Sequence, residues 1–176
     1  ELPKTEARIA EPMRQECKVA VSIPAYEEGG KILNSLEFLA NQKDVSIDDY
    51  EIIVNVNNRE EAGNNTRHLN MQTLSVLKFL KGEPSDLAFW TTEETERLQK
   101  IKESGLVVHY IDKSSGGNEI KPIDDEDFKK IGCMQPRKRT MDEICERFVL
   151  AGKTDGIIAS LDADTKVNSQ WIRGII

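Results

Sequence analysis

At 176 residues, 38% of them hydrophobic, the chain can build one domain around a sizeable core and requires no second. Its 31 acidic residues outnumber 24 basic ones for a net charge of −7, which argues against a surface tracking nucleic-acid phosphates; the one basic cluster is Pro136–Arg139, PRKR. No run approaches the roughly 18 apolar residues of a membrane span, the charged opening ELPKTEARIAEPMRQE has no signal-peptide character, and Cys17, Cys133 and Cys145, without CxxC spacing, fit reduced thiols in a cytoplasmic setting.

Residues 1–16 read as an N-terminal extension and 17–176 as the domain. The first apolar run, CKVAVSIP (Cys17–Pro24), is near-continuous rather than alternating, the pattern of a parallel strand covered on both faces. It passes through AYEEGG into Ile32, Leu33, Leu36, Leu39 and Ala40 at helical spacing. With no GxGxxG present, Gly29 and Gly30 read as a helix lead-in rather than a phosphate loop. The second run, YEIIVNVN (Tyr50–Asn57), is followed by Asn58 and then by two helical patterns, one around Leu69–Leu80 and one from Thr92 to Lys102. KGEPSD separates them, and Thr91 with Glu94 forms a capping box for the second.

The third run is GLVVHYID (Gly105–Asp112). Asp112–Gln135, mixing Gly, Ser and acidic residues, reads as a mobile surface loop with one short helical turn near Glu126–Ile131. Met141, Ile144, Cys145, Phe148 and Val149 then recur at helical spacing, with Thr140 and Glu143 fitting a capping box at that helix's start. The fourth run, GIIASLD (Gly156–Asp162), leads into DADTKV.

Alternating strands and helices with right-handed crossovers predict an α/β, Rossmann-like domain. Its central, mostly parallel sheet takes the order 3-2-1-4, with helices on both faces. Ligands of such sheets bind beyond the carboxyl ends of the strands, which puts Pro24–Glu28, Asn57 with Asn58, Asp112 and Asp162–Asp164 forward. Two carboxylates one residue apart repel each other unless a cation neutralises them, and hard oxygen ligands suit Mg²⁺ or Mn²⁺ bridged to a substrate phosphate. Asp162, Asp164, Asn57 and Asp112 also have the residue types of ordinary turns. Arg137 offers phosphate a planar fork and Lys138 a point charge, or both belong to a solvated basic surface. His68 and His109 have no ligand-spaced partner, and Trp90 and Trp171 read as packing.

Four pieces, VAVSIPAYEEGGKILNSLEFLANQ, YEIIVNVNN, RKRTMDEI and IIASLDAD, resemble in this order the family 2 glycosyltransferases, inverting nucleotide-sugar-dependent enzymes with the GT-A fold. The resemblance spans Lys18–Ile176. It implies transfer of a sugar from a nucleoside-diphosphate sugar, a UDP-sugar being favoured, to a saccharide or lipid-linked acceptor, in the cytoplasm or at the cytoplasmic face of a membrane. Pro24, Ala25, Tyr26 and Glu28 would then line the nucleoside pocket with Asn57 and Asp112. Arg137 and Lys138 would approach the diphosphate, and Asp162 and Asp164 would hold Mg²⁺ or Mn²⁺ on it.

Two departures stand out. Many members carry an Asp pair where this chain has Asn57 and Asn58; an amide keeps a carbonyl acceptor for a uracil imide but not the charge. The family's general base lies well after the DxD, and this chain ends at Ile176, so the expectation is a donor-binding half without its acceptor half and no catalytic base is assigned. Two alternatives stand beside this one. The first is a nucleotide-sugar-binding module without turnover. The second is a haloacid-dehalogenase-like phosphohydrolase, whose two-Asp motif LDADTKV resembles, although Lys166 stands where that family has Thr or Val.

Overall fold

In the computed structural model, which describes residues 9–121 and 134–176, strands and helices alternate along the chain. They are β1 (Val19–Ala25), α1 (Ile32–Ala40), β2 (Tyr50–Asn57), α2 (Asn64–Lys81), α3 (Thr92–Glu103), β3 (Val108–Lys113), α4 (Met134–Leu150), β4 (Ile157–Ser160) and the short α5 (Trp171–Ile175). The four strands form one parallel sheet in the order β3-β2-β1-β4, the order expected from the sequence. β1 is the switch point, with β2 on one side (Val19 opposite Tyr50) and β4 on the other (Val19 opposite Ile157).

Alternate side chains of the central strands point to opposite faces, and each face is covered. Val19, Val21 and Ile23 of β1 with Ile52, Val54 and Val56 of β2 pack against Leu33, Leu36 and Leu39 of α1, Leu74 and Leu77 of α2, and Leu98 and Ile101 of α3. Ala20, Ile53 and Ile111 face the other way, onto Ile144 and Phe148 of α4. This double coverage is why β2 is buried at every position, its polar Glu51, Asn55 and Asn57 included.

The Thr91–Glu94 capping box opens α3 as expected. The other expected box does not exist. α4 begins at Met134, so Thr140 lies inside the helix and its hydroxyl donates to the Pro136 carbonyl at 2.8 Å. Pro136 sits near the helix start, where a missing N–H costs little. The apolar stripe marks only the stretch that meets the sheet: Ile144 and Phe148 are buried, whereas Cys145 and Val149, expected on the same face, are exposed. The helical turn expected near Glu126–Ile131 lies outside the described residues.

Residues 9–16 run over the α4 face. The Ile9 N–H donates to Glu143 at 2.8 Å, Ile9 and Met13 pack on the smaller core cluster, and Arg14 pairs with Asp48 at 2.5 Å. Among the described residues no helix is long and apolar enough to cross a membrane.

Candidate functional site

The carboxyl ends of β1, β2 and β4 open onto one cleft of about 750 Å³, to which the start of α4 adds Pro136 and Arg137. Pro24, Tyr26, Glu28, Asn57, Arg137, Asp162 and Asp164, drawn from positions far apart in sequence, all line it. Ala25, Asp112 and Lys138 do not. Ala25 is buried, and its carbonyl accepts from Asn57. Asp112 caps a turn, accepting from the Ser114 N–H and hydroxyl, each at 2.9 Å, and from the Ser115 hydroxyl at 2.5 Å. Lys138 pairs with Asp142 one turn along α4 at 2.6 Å.

Helix α2 holds the loop after β1 in place. Thr66, Asn70 and Thr73 recur on one helical face and are all buried. The Thr66 hydroxyl donates to the Glu27 carboxylate, the Asn70 carbonyl oxygen accepts from the Glu27 N–H at 3.0 Å, and the Thr73 hydroxyl donates to the Gly29 carbonyl at 3.2 Å. Glu27 adopts a left-handed φ of 59°, unusual for a residue with a side chain, and these bonds offset its strain. Gly29 (φ 53°) lies so close to α2 that a Cβ there would stand 2.8 Å from the Gln72 side chain. The tight passage aims Tyr26, 51% exposed, and Glu28 into the cleft.

Asn70 also reaches the end of β2, its amide donating to the Asn57 carbonyl at 3.0 Å and to Asn58 Oδ1 at 2.8 Å. Asn58 gives its own amide to the Arg59 carbonyl, so its side chain is spent within the loop. Asn57 differs: Nδ2 donates to the Ala25 and Asn55 carbonyls (3.1 and 3.2 Å), which fixes the amide and leaves Oδ1 as its acceptor on the cleft. The far wall was not expected from sequence. There Arg59 bridges to Ile120, the Ile120 N–H donates to the Asn58 carbonyl at 2.9 Å, and Glu61, Ala62 and Ile120 line the cleft.

The Asp162–Asp164 segment is a turn, closed by the Thr165 N–H on the Asp162 carbonyl at 3.0 Å. Ala163 between the carboxylates is buried, and Ser35 of α1 donates to its carbonyl at 2.5 Å, which throws Asp162 and Asp164 outward. Sequence reading missed Ser35 and the α2 polar face. The signal for the latter was a run of polar residues at helical spacing on the side that must meet the sheet.

Among the described residues, four carboxylates (Glu28, Glu61, Asp162, Asp164) line the cleft against two guanidiniums (Arg59, Arg137). Burial first, and then the Asp164 carboxylate with Asp162 adding to it, raise Glu28 above the usual carboxyl range, while Lys31 opposes. Arg137 Nη2 donates to Asp162 Oδ1 at 2.5 Å, and Arg137 Nε is buried with no partner among the described residues. No group of three or more His, Cys, Asp or Glu among the described residues is placed to hold a metal. Asp162 and Asp164, both exposed and one residue apart, offer hard oxygens that suit an ion taking its remaining ligands from water and phosphate.

Compared with protein-family models, curated proteins and solved structures, the chain matches none.

Proposed function

We propose that this domain is the donor-binding part of an inverting glycosyltransferase similar to family 2, with a GT-A arrangement, and that the cleft takes a nucleoside-diphosphate sugar. The observation that carries the reading is the convergence of Pro24, Tyr26, Glu28, Asn57, Arg137, Asp162 and Asp164 on one cleft at the strand ends. An unaided surplus of carboxylates would repel a diphosphate, so the ligand enters with a compensating cation. Asp162 and Asp164 would hold a divalent Mg²⁺ or Mn²⁺, which when bound would supply positive charge against that developing on the departing nucleoside diphosphate.

The chain's own residues supply the rest. Tyr26 presents its ring to the nucleoside, and the fixed Oδ1 of Asn57 accepts from an imide N–H, which favours uracil. Arg137 grips phosphate oxygens, with the buried Nε gaining the acceptor it lacks. An acceptor hydroxyl on a saccharide or lipid-linked glycan attacks the anomeric carbon opposite the leaving group. The carbon–oxygen bond to the diphosphate breaks, its electron pair leaves with the diphosphate, and the hydroxyl proton passes to a general base that is not one of these donor-site residues.

The test is titration of UDP into the protein with and without Mn²⁺. Asp164→Ala is expected to weaken binding at least tenfold, about 1.4 kcal/mol, with Mn²⁺ present and to change little without it. The fold should survive, because Asp164 is exposed. Equal affinity in all four conditions removes the cation, and with it the reason for treating Asp162–Asp164 as more than a turn.

A further inference from the structure

One guanidinium stands between the two ligands this reading invokes. Arg137 spends Nη2 on Asp162 Oδ1 at 2.5 Å, on a carboxylate assigned to the cation, while its Nε is buried without a partner among the described residues. Its backbone is fixed, because the Pro136 carbonyl accepts from the buried Asn55 amide at 3.1 Å and from the Thr140 hydroxyl at 2.8 Å. Arg137 can therefore change partner by a side-chain movement alone.

Resting on the donor-site reading, we propose that Arg137 is an exchange switch: it occupies Asp162 in the ligand-free protein, and an arriving nucleoside diphosphate draws it onto phosphate and frees Asp162 for the divalent cation. Magnitudes give the direction. The Arg137 and Asp162 side chains are 37% and 65% exposed, and an exposed ion pair holds by a factor of about 1.5 to 5. A charge-assisted contact to a diphosphate, with Nε satisfied as well, is worth a factor of about 10 or more. The diphosphate thus outcompetes Asp162 for Arg137, whereas a cation arriving alone must displace Arg137 with nothing to receive it. The two ligands consequently favour each other's binding, and linkage makes that effect reciprocal.

The switch has a signature that a plain phosphate-binding arginine lacks: removing Arg137 acts with opposite signs on the two ligands. The experiment measures free Mn²⁺ by electron paramagnetic resonance in the absence of nucleotide, and UDP binding by calorimetry in its presence. Both are run on the unmodified protein, on Arg137→Met and on Arg139→Met. Arg139 lies in the same helix outside the cleft lining, so its variant controls for the loss of one positive charge. Relative to that control, Arg137→Met is expected to bind Mn²⁺ alone about two- to fivefold more tightly and UDP with Mn²⁺ about tenfold more weakly. Equal or weaker binding of Mn²⁺ alone in Arg137→Met overturns the exchange while leaving the donor site standing. Absence of Mn²⁺-dependent UDP binding in the unmodified protein overturns both.

Discussion

Asn70 has no place on the cleft surface, yet it sets the positions of two residues that do. Its one side chain accepts from the Glu27 N–H and donates to the Asn57 carbonyl and Asn58 Oδ1, tying the loop after β1 to the end of β2. Asn70→Asp keeps the acceptor for Glu27 but turns oxygen toward two oxygens. Each lost buried donor costs about 1–3 kcal/mol, so the variant should melt well below the parent and, at temperatures where it is folded, bind UDP about tenfold more weakly. Thermal denaturation followed by UDP titration checks both; a folded variant with parental affinity would mean that the loops hold their places without this clamp. The sequence marked Asn70 only as one of the polar residues at helical spacing on α2, because its importance lies in partners contributed by two distant loops. Asn57 was legible, since it ends an apolar strand.

At the level of elements, the strands were legible because both faces of the sheet are covered and the apolar runs are therefore near-continuous. The start of α4 was not. Its first turns carry PRKR toward the cleft and solvent rather than apolar side chains toward the core, so hydrophobic periodicity begins only at Met141. The approach of α4 to β4 depends on a residue with no side chain. A Cβ on Gly156 would stand 2.4 Å from the Phe148 ring, which belongs to the core cluster on that face. Gly156→Ala must push the ring or the strand aside, at about 1–3 kcal/mol for an overpacked site. Because β4 delivers Asp162, the variant should lose UDP affinity as well as stability. Denaturant unfolding and UDP titration read the two effects, and a neutral result in both would show that the ring can turn away freely.

For the molecule as a whole, the most consequential polar feature lies on the face away from α1, α2 and α3. Glu51 of β2, buried, accepts from Arg147 of α4 through both oxygens at 2.7 and 2.9 Å, with His109 of β3 beside them and the Glu11 carbonyl accepting from Arg147 at 2.7 Å. Burial alone would raise the Glu51 carboxyl, but the two hydrogen bonds and the positive charge of Arg147, with the His109 ring beside them, outweigh it and hold the carboxyl below its usual range. A depressed folded-state pKa contributes stability above the unfolded value of about 4.3 and loses it as pH falls through the folded value. Chemical denaturation from pH 7 to pH 3 should therefore show stability dropping on the acid side. Arg147→Met, which strands a buried carboxylate, should cost about 3–5 kcal/mol at pH 7, and Glu51→Leu with Arg147→Met should cost less and flatten the acid slope. A double variant as unstable as the single one, or with an undiminished slope, would remove the pair from the account. A lone Glu inside YEIIVNVN was the visible sign of this pair, since a charge in a doubly covered strand requires a partner, but the sequence did not say that Arg147 supplies it. The sheet itself carries a last consequence. β4 is hydrogen-bonded to β1 on one side, and no described strand lies along its other side. Ile157–Ser160 present there an uncharged row of backbone donors and acceptors, the kind of border to which a strand from another molecule can add.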